Sequence, residues 1–210
     1  MKGLFISIEG NDGSGKSTVI SALKEELAKR GLDVIYTREP GGSYVAEKIR
    51  TVILDVDNKA MDDKTEALLY AASRRQHLIE TVLPAISQGK IVVCDRFIDS
   101  SLAYQGVGRG LGIDEVYQMN QFATDGILPD LTIYLLVDPQ IGLQRKSHQK
   151  ELDRLESEKL DFHTKVYEAY LTLAKRFSDR VVIVDGSGSI KEECDQVNKV
   201  ITDFLESRGF

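Results

Sequence analysis

Residues 9–18 read EGNDGSGKST, which places three glycines, a lysine and several hydroxyl side chains in ten positions. Gly10, Gly15, Lys16 and Ser17 fit the spacing GxxxxGK[ST]. Glycine tolerates the turns that aim successive backbone N–H groups inward, and such a concave nest binds phosphate oxygens. A helix opening directly after the loop adds unpaired N–H groups and a positive dipole end. Lys16 can then reach the β- and γ-phosphates, and the Ser17 hydroxyl can ligate Mg2+. The chemistry expected is the binding of a Mg2+–nucleoside triphosphate. The guanine-reading pattern NKxD is not met, because NKAMDD at 58–63 has Met61 where the acid belongs.

A second cluster is CDRFIDSSLAYQG, residues 94–106. It follows an apolar run read as a strand, and parallel sheets bind ligands beyond the carboxyl ends of their strands. Asp95 there could hold a metal shell or orient an acceptor phosphate, and Arg96 could neutralise phosphoryl charge. Taken alone, each has a plainer reading, as a strand-end cap and a solvated surface arginine. TREPGG (37–42) follows another strand and contains a sharp turn. Arg50 falls on the short helix SYVAEKIRTVIL, and Arg74 and Arg75 lie inside a longer one. Tyr70 and Arg74 are four residues apart and share a helical face, where a ring and a guanidinium can stack on and hydrogen-bond a base.

These groups need a frame. Five short, β-branched, nearly continuous apolar runs stand at 4–8, 33–37, 91–95, 131–137 and 181–185. That pattern predicts strands buried on both faces of a parallel sheet. Helical periodicity fills the gaps: Ile20, Leu23 and Leu27 after the glycine loop, residues 62–87 opening at an Asp cap with Pro84 as a bend, residues 157–177, and the final KEECDQVNKVITDFLES. Strand and helix alternate throughout, so the fold expected is α/β with a mainly parallel sheet, and 210 residues suit one domain.

A net charge of −6 argues against a duplex nucleic-acid partner, although local fields can still favour a small anion. Cys94 and Cys194 form no metal or disulfide pattern, which suits a reduced, cytoplasmic setting. No run approaches 18 uninterrupted apolar residues, so no membrane span is expected.

In order along the chain, EGNDGSGKST, TREPGG, EKIR, ASRRQHL, CDRFIDSSLAYQG, PDLTIYL and ELDRLE…FHTKVYEAY resemble the thymidylate kinases, which make dTDP from dTMP and ATP. The resemblance spans essentially the whole chain, and TREPGG and DRFIDSSLAYQG are far more specific than the glycine loop. It implies a five-stranded P-loop kinase core with Mg2+–ATP, a mobile lid at about residues 143–155 and a homodimer. It implies acceptor-nucleotide regions at about 38–75 and 96–106. By resemblance Gly10, Asn11, Asp12, Gly13, Ser14, Gly15, Lys16, Ser17 and Thr18 hold the ATP phosphates, and Asp12 also meets the dTMP sugar. Glu39 and Asp95 sit near Mg2+ and the transferring group. Arg38, Arg50 and Arg96 clamp the dTMP phosphate. Tyr70 stacks on thymine, Arg74 donates to its O4, Gln105 bonds the pyrimidine edge, and Ser101 and Tyr104 line base and sugar. Arg145 lies near adenine.

The family places a catalytic arginine either in the glycine loop or in the lid. Here the loop position is Gly13, and the lid reads RKSHQKELDR. The expectation is that Lys146 or Lys150, helped by Arg154, supplies the lid charge. The competing classes are a kinase for another nucleotide, a regulatory P-loop ATPase and a nucleotide-binding scaffold without turnover.

Overall fold

The computed structural model describes residues 2–146 and 153–210. Its five strands, β1 (Leu4–Glu9), β2 (Val34–Arg38), β3 (Ile91–Asp95), β4 (Leu131–Leu136) and β5 (Val181–Asp185), form one parallel sheet in the order β2-β3-β1-β4-β5. The apolar runs locate all five strands, with bounds shifted by a residue in places. The burial expected on both faces holds for β1, β3 and β4 but not for the two edge strands. β2 is only half-buried and β5 is largely exposed, because each has a neighbour on one side alone.

Helices cover both faces. On one face α1 (Lys16–Lys29) and the last helix, α9 (Ile190–Ser207), press Val19, Leu23, Leu27, Val197, Ile201 and Leu205 onto Ile6, Ile8, Val93 and Ile133. The spacing of these residues is the helical stripe read in the sequence. A reciprocal capping box between Ser189 and Glu192 starts α9. The other face is covered by α2 (Tyr44–Leu54), α3 (Asp63–His77), α4 (Leu83–Ser87), α5 (Ile98–Ser101), α6 (Ile113–Thr124) and α8 (Leu160–Arg176), around Phe5, Phe97, Leu102, Tyr134 and Tyr170. α7 (Pro139–Lys146) follows β4.

Asp62 caps α3 by accepting from the N–H groups of Lys64 and Thr65. The helix predicted at 62–87 does not simply bend at Pro84. Its ladder widens to π spacing over Leu78–Val82, one turn ahead of the proline, where Leu83 N–H donates to Leu78 O. A second π segment, Leu102–Gly108, extends α5 and carries Tyr104 and Gln105.

Candidate active site

The register aligns the carboxyl ends of β1, β2 and β3: Asp95 lies opposite both Ile8 and Arg38. Beyond them opens a cavity of about 670 Å3, walled by the glycine loop, the turn after β2, residues of α2 and α3, the segment after β3 and the end of α7.

The loop runs from β1 into α1. Gly15 is left-handed at φ +86, and the first turn of α1 contains no acidic residue of its own, although Glu193 from α9 approaches Gly15. Lys16 folds back so that its Nζ donates to Gly10 O and Asn11 O, each at 3.0 Å. Burial, with the Arg96 charge added, depresses its ammonium to about 8 against the pull of Asp95 and Asp12. Asn11 faces away from the cavity and ties the loop to the end of β4, donating to Val137 O and accepting from Val137 N–H. Gly13 closes against α7: a Cβ there would stand 2.1 Å from Gly142 O, and one on Gly142 would stand 2.3 Å from Asp12 O. The arginine that the family carries at this position in some members has no room here.

Arg96 crosses from this loop to the other half of the cavity. It donates from Nη1 to Gly10 O and Ser100 Oγ, and from Nη2 to Asp12 Oδ1 at 2.8 Å and to Tyr104 Oη. Its backbone is left-handed, φ +72, a strained geometry for a non-glycine residue and one that concentrates at functional sites. Tyr104 also donates to Asp12 Oδ2 at 2.8 Å. The Arg96 and Lys16 charges outweigh burial and hold the Asp12 carboxyl below the ordinary aspartate range.

On the opposite wall two guanidinium groups converge on one carbonyl. Arg38 and Arg50 both donate to Pro40 O, at 3.2 and 2.8 Å, and Arg38 is further clamped by both oxygens of Glu47. Tyr70, Tyr104, Gln105 and Ser100 line the rest of this half.

Asp95 Oδ1 is buried without a hydrogen-bond partner, and Ser17 shares the cavity wall with it. An uncommitted carboxylate oxygen and a hydroxyl are hard donors suited to Mg2+, which takes few protein ligands besides phosphate and water. Glu39, expected as a third ligand, lines the same cavity, but its carboxylate is already committed. It is buried, and its two oxygens are engaged by Arg74 Nε at 2.8 Å and His77 Nδ1 at 2.9 Å.

Arg74 is a second correction. It shares a face with Tyr70 as the spacing predicts, yet it is only 1% exposed and lies behind the cavity wall. Its guanidinium is consumed by Glu39, Ser101 Oγ, Asn120 Oδ1 and Phe97 O. Ser101 is turned to Arg74, and its neighbour Ser100 faces the cavity instead. Arg154 does not add charge to the cavity, because it is drawn to Ile53 O and to Glu66. Lys146 is on the wall and paired with Glu156. Lys150 lies outside the described residues. Arg145 donates to Gly186 O at 3.0 Å on the far side of the loop, beside Ile190 and Glu193.

The sequence reading missed Ser100, Glu193, Asp153 and Leu155. Ser100 sat in the right motif one position from the residue chosen, whereas the others come from elements whose approach only the fold determines.

A family model described as thymidylate kinase matches residues 8–197. The chain is 55% identical over 210 residues to a thymidylate kinase of Geobacillus sp. (strain WCH70), covering 99% of this chain and all of that one. It is 54% identical over 209 residues to one of Pediococcus pentosaceus, covering 98% of each. Among solved structures, a thymidylate kinase from Ehrlichia chaffeensis superposes with a TM-score of 0.79 at 30% identity, over 96% of this chain and all of that one. With a cavity that joins a phosphate-binding loop to a convergent set of arginines, and with this likeness over its whole length, the chain belongs to the thymidylate kinase family.

Proposed function

We propose that this protein transfers the γ-phosphoryl group of ATP to dTMP, giving dTDP and ADP. One observation carries the reading: Arg96 bonds the glycine loop through Gly10 O and Asp12 and the acceptor half through Ser100 and Tyr104, so two phosphates brought into this cavity share one cation.

Phosphoryl transfer asks for alignment and charge neutralisation more than for covalent help. The N–H groups of the loop and Lys16 hold the triphosphate. Arg38, Arg50 and Arg96 hold the acceptor phosphate, one oxygen of which attacks the γ-phosphorus while the bond to the β-bridging oxygen breaks and its electron pair leaves with ADP. Ser17 and Asp95 would hold Mg2+, which would supply positive charge to the donor's phosphates. Tyr70, Tyr104 and Gln105 enclose the base and sugar, and Asp12 is placed for a sugar hydroxyl. Arg145 flanks the donor base. Lys146 brings the lid's charge, in the place of the family's arginine.

The chain works as a single domain in the cytoplasm and pairs as a homodimer. Exposed Leu68 and Ile79 on the long helical run and Phe122 on α6, which is 89% exposed, support the pairing; a monomeric mass in sedimentation would remove it. Among the described residues no helix is long and apolar enough to cross a membrane.

The function is tested by coupled ADP release with ATP and each nucleoside monophosphate in turn. Turnover with dTMP and not with purine monophosphates is expected. ADP release independent of any acceptor points instead to a regulatory ATPase.

A further inference from the structure

Glu66 on α3 is fully buried, at 0% exposure, one helical turn before Tyr70. Three side chains converge on it. Gln105 Nε2 donates to its Oε1 at 2.8 Å. Arg109 donates to both oxygens, and Arg154 forms an ion pair with Oε2 at 2.6 Å. Two guanidinium groups from separate segments therefore fix this carboxylate in place.

A carboxylate held this way only accepts hydrogen bonds. Gln105 must turn its NH2 towards Glu66, so its amide orientation follows from chemistry and not from a choice between look-alike atoms. Gln105 is 1% exposed and lines the cavity with Tyr70 and Tyr104. With the NH2 held on Glu66 through one of its two hydrogens, the acceptor that Gln105 offers a ligand is the carbonyl oxygen.

We propose that Glu66 is a positioning residue for base selection, locking the Gln105 amide so that the acceptor half of the cavity presents a hydrogen-bond acceptor to the edge of the pyrimidine. The inference rests on the dTMP reading above and names how that site chooses its base. Thymine and uracil carry N3–H, a donor that meets this acceptor. Cytosine carries a bare N3 lone pair, which would face the carbonyl lone pairs and leave both unpaired in a buried site. The device is blind to the 5-methyl group, so it separates dTMP from dCMP and leaves dUMP alone.

The test uses the full chain and the variant Glu66→Gln, which keeps the shape but can donate as well as accept and so frees Gln105 to flip. Steady-state kcat and KM are measured with ATP and dTMP, dUMP or dCMP. The kcat/KM ratio of dTMP to dCMP is expected to fall at least about tenfold, through a raised KM for dTMP and a lowered one for dCMP. The dTMP to dUMP ratio should stay within about twofold, and Glu66→Asp, still acceptor-only, should restore much of the lost selectivity. A uniform loss of activity with the dTMP to dCMP ratio unchanged would overturn the proposal and leave Glu66 as a partner for Arg109 and Arg154 alone. Should Glu66→Gln fail to fold, Gln105→Leu decides: a collapsed dTMP to dCMP ratio supports the proposal and a retained ratio overturns it. Unmodified protein that releases no ADP with dTMP would remove the functional reading itself, and this inference with it, a result distinct from the other outcomes.

Discussion

Lys16 has to be a cation to hold phosphate, and its surroundings make that costly. Its ammonium sits at about 8, against 10.5 in an open chain, because it is buried and Arg96 repels it. Between those two values the unfolded chain binds more protons than the folded one, so this residue's contribution to stability becomes more favourable as pH rises through the window. Nucleotide binding has the opposite trend, since it needs the proton. Affinity for ATP measured by calorimetry is expected to fall about tenfold from pH 7 to pH 9, with a proton taken up on binding near pH 8. Lys16→Met should bind ATP weakly and without this dependence; an equally steep profile in that variant would assign the titration elsewhere. The Glu39–Arg74–His77 cluster shows a different use of charge at this scale. It is buried, with Glu39 alone of the three reaching the cavity wall, and Arg74 and His77 fix that carboxylate from behind.

Among the elements, α7 carries the open chemical question, because it ends in Lys146 on the cavity wall and leads into the lid. Lysine offers a point charge where arginine offers a planar fork, so it can neutralise a moving phosphoryl group without gripping it. Lys146→Ala is expected to lower kcat with dTMP by about tenfold or more while changing KM little. A kcat within about twofold of the parent would leave the charge to Lys16 and Arg96. The elements themselves were readable where their cause is local. Five β-branched runs gave five strands, and the glycine loop between strand and helix announced its own geometry. The π turns were not readable, because widening the ladder over Leu78–Val82 and Leu102–Gly108 depends on how those segments pack against the sheet. In the site, the residues that motifs brought to the cavity were legible as a set, but their hydrogen-bond partners were not. Spacing placed Arg74 beside Tyr70, yet Glu39 lies 35 residues away in sequence, and only the closed fold shows that it takes the guanidinium for itself. Arg154 was read as lid charge from its position, and the same long-range pairing, here with Glu66, turned it elsewhere.

For the molecule as a whole, a net charge of −6 surrounds a cavity lined by Lys16, Arg38, Arg50, Arg96, Arg145 and Lys146. The same lining carries Asp12, Glu39, Asp95, Asp153, Glu156 and Glu193, so the cavity is formally neutral inside an acidic chain, and phosphate is favoured where the cations face it and not by a net positive field. The centre of the sheet also makes folding sensitive to pH. Glu9 at the end of β1 is completely buried, where it accepts from Phe97 N–H and Ser100 Oγ, and burial together with the Asp99 charge pushes its carboxyl up to about 7. From about 4.5 to 7 the folded protein keeps a proton that the unfolded chain releases, so this group's stabilisation is complete at the acid end of the window and is lost as pH rises through it. Tm followed from pH 5 to pH 7.5 should show that loss, and Glu9→Gln should flatten the slope; an unchanged slope would place the titration in another group. The seam between Gly13 and Gly142 has a consequence of its own. The foot of the lid and the bend of the phosphate loop rest on each other without space for a single methyl. The two family solutions, a charge donor in the loop or one in the lid, therefore cannot be exchanged by one substitution. A side chain placed at position 13 has to push α7 off the loop first, so a change in one segment is felt at once in the other.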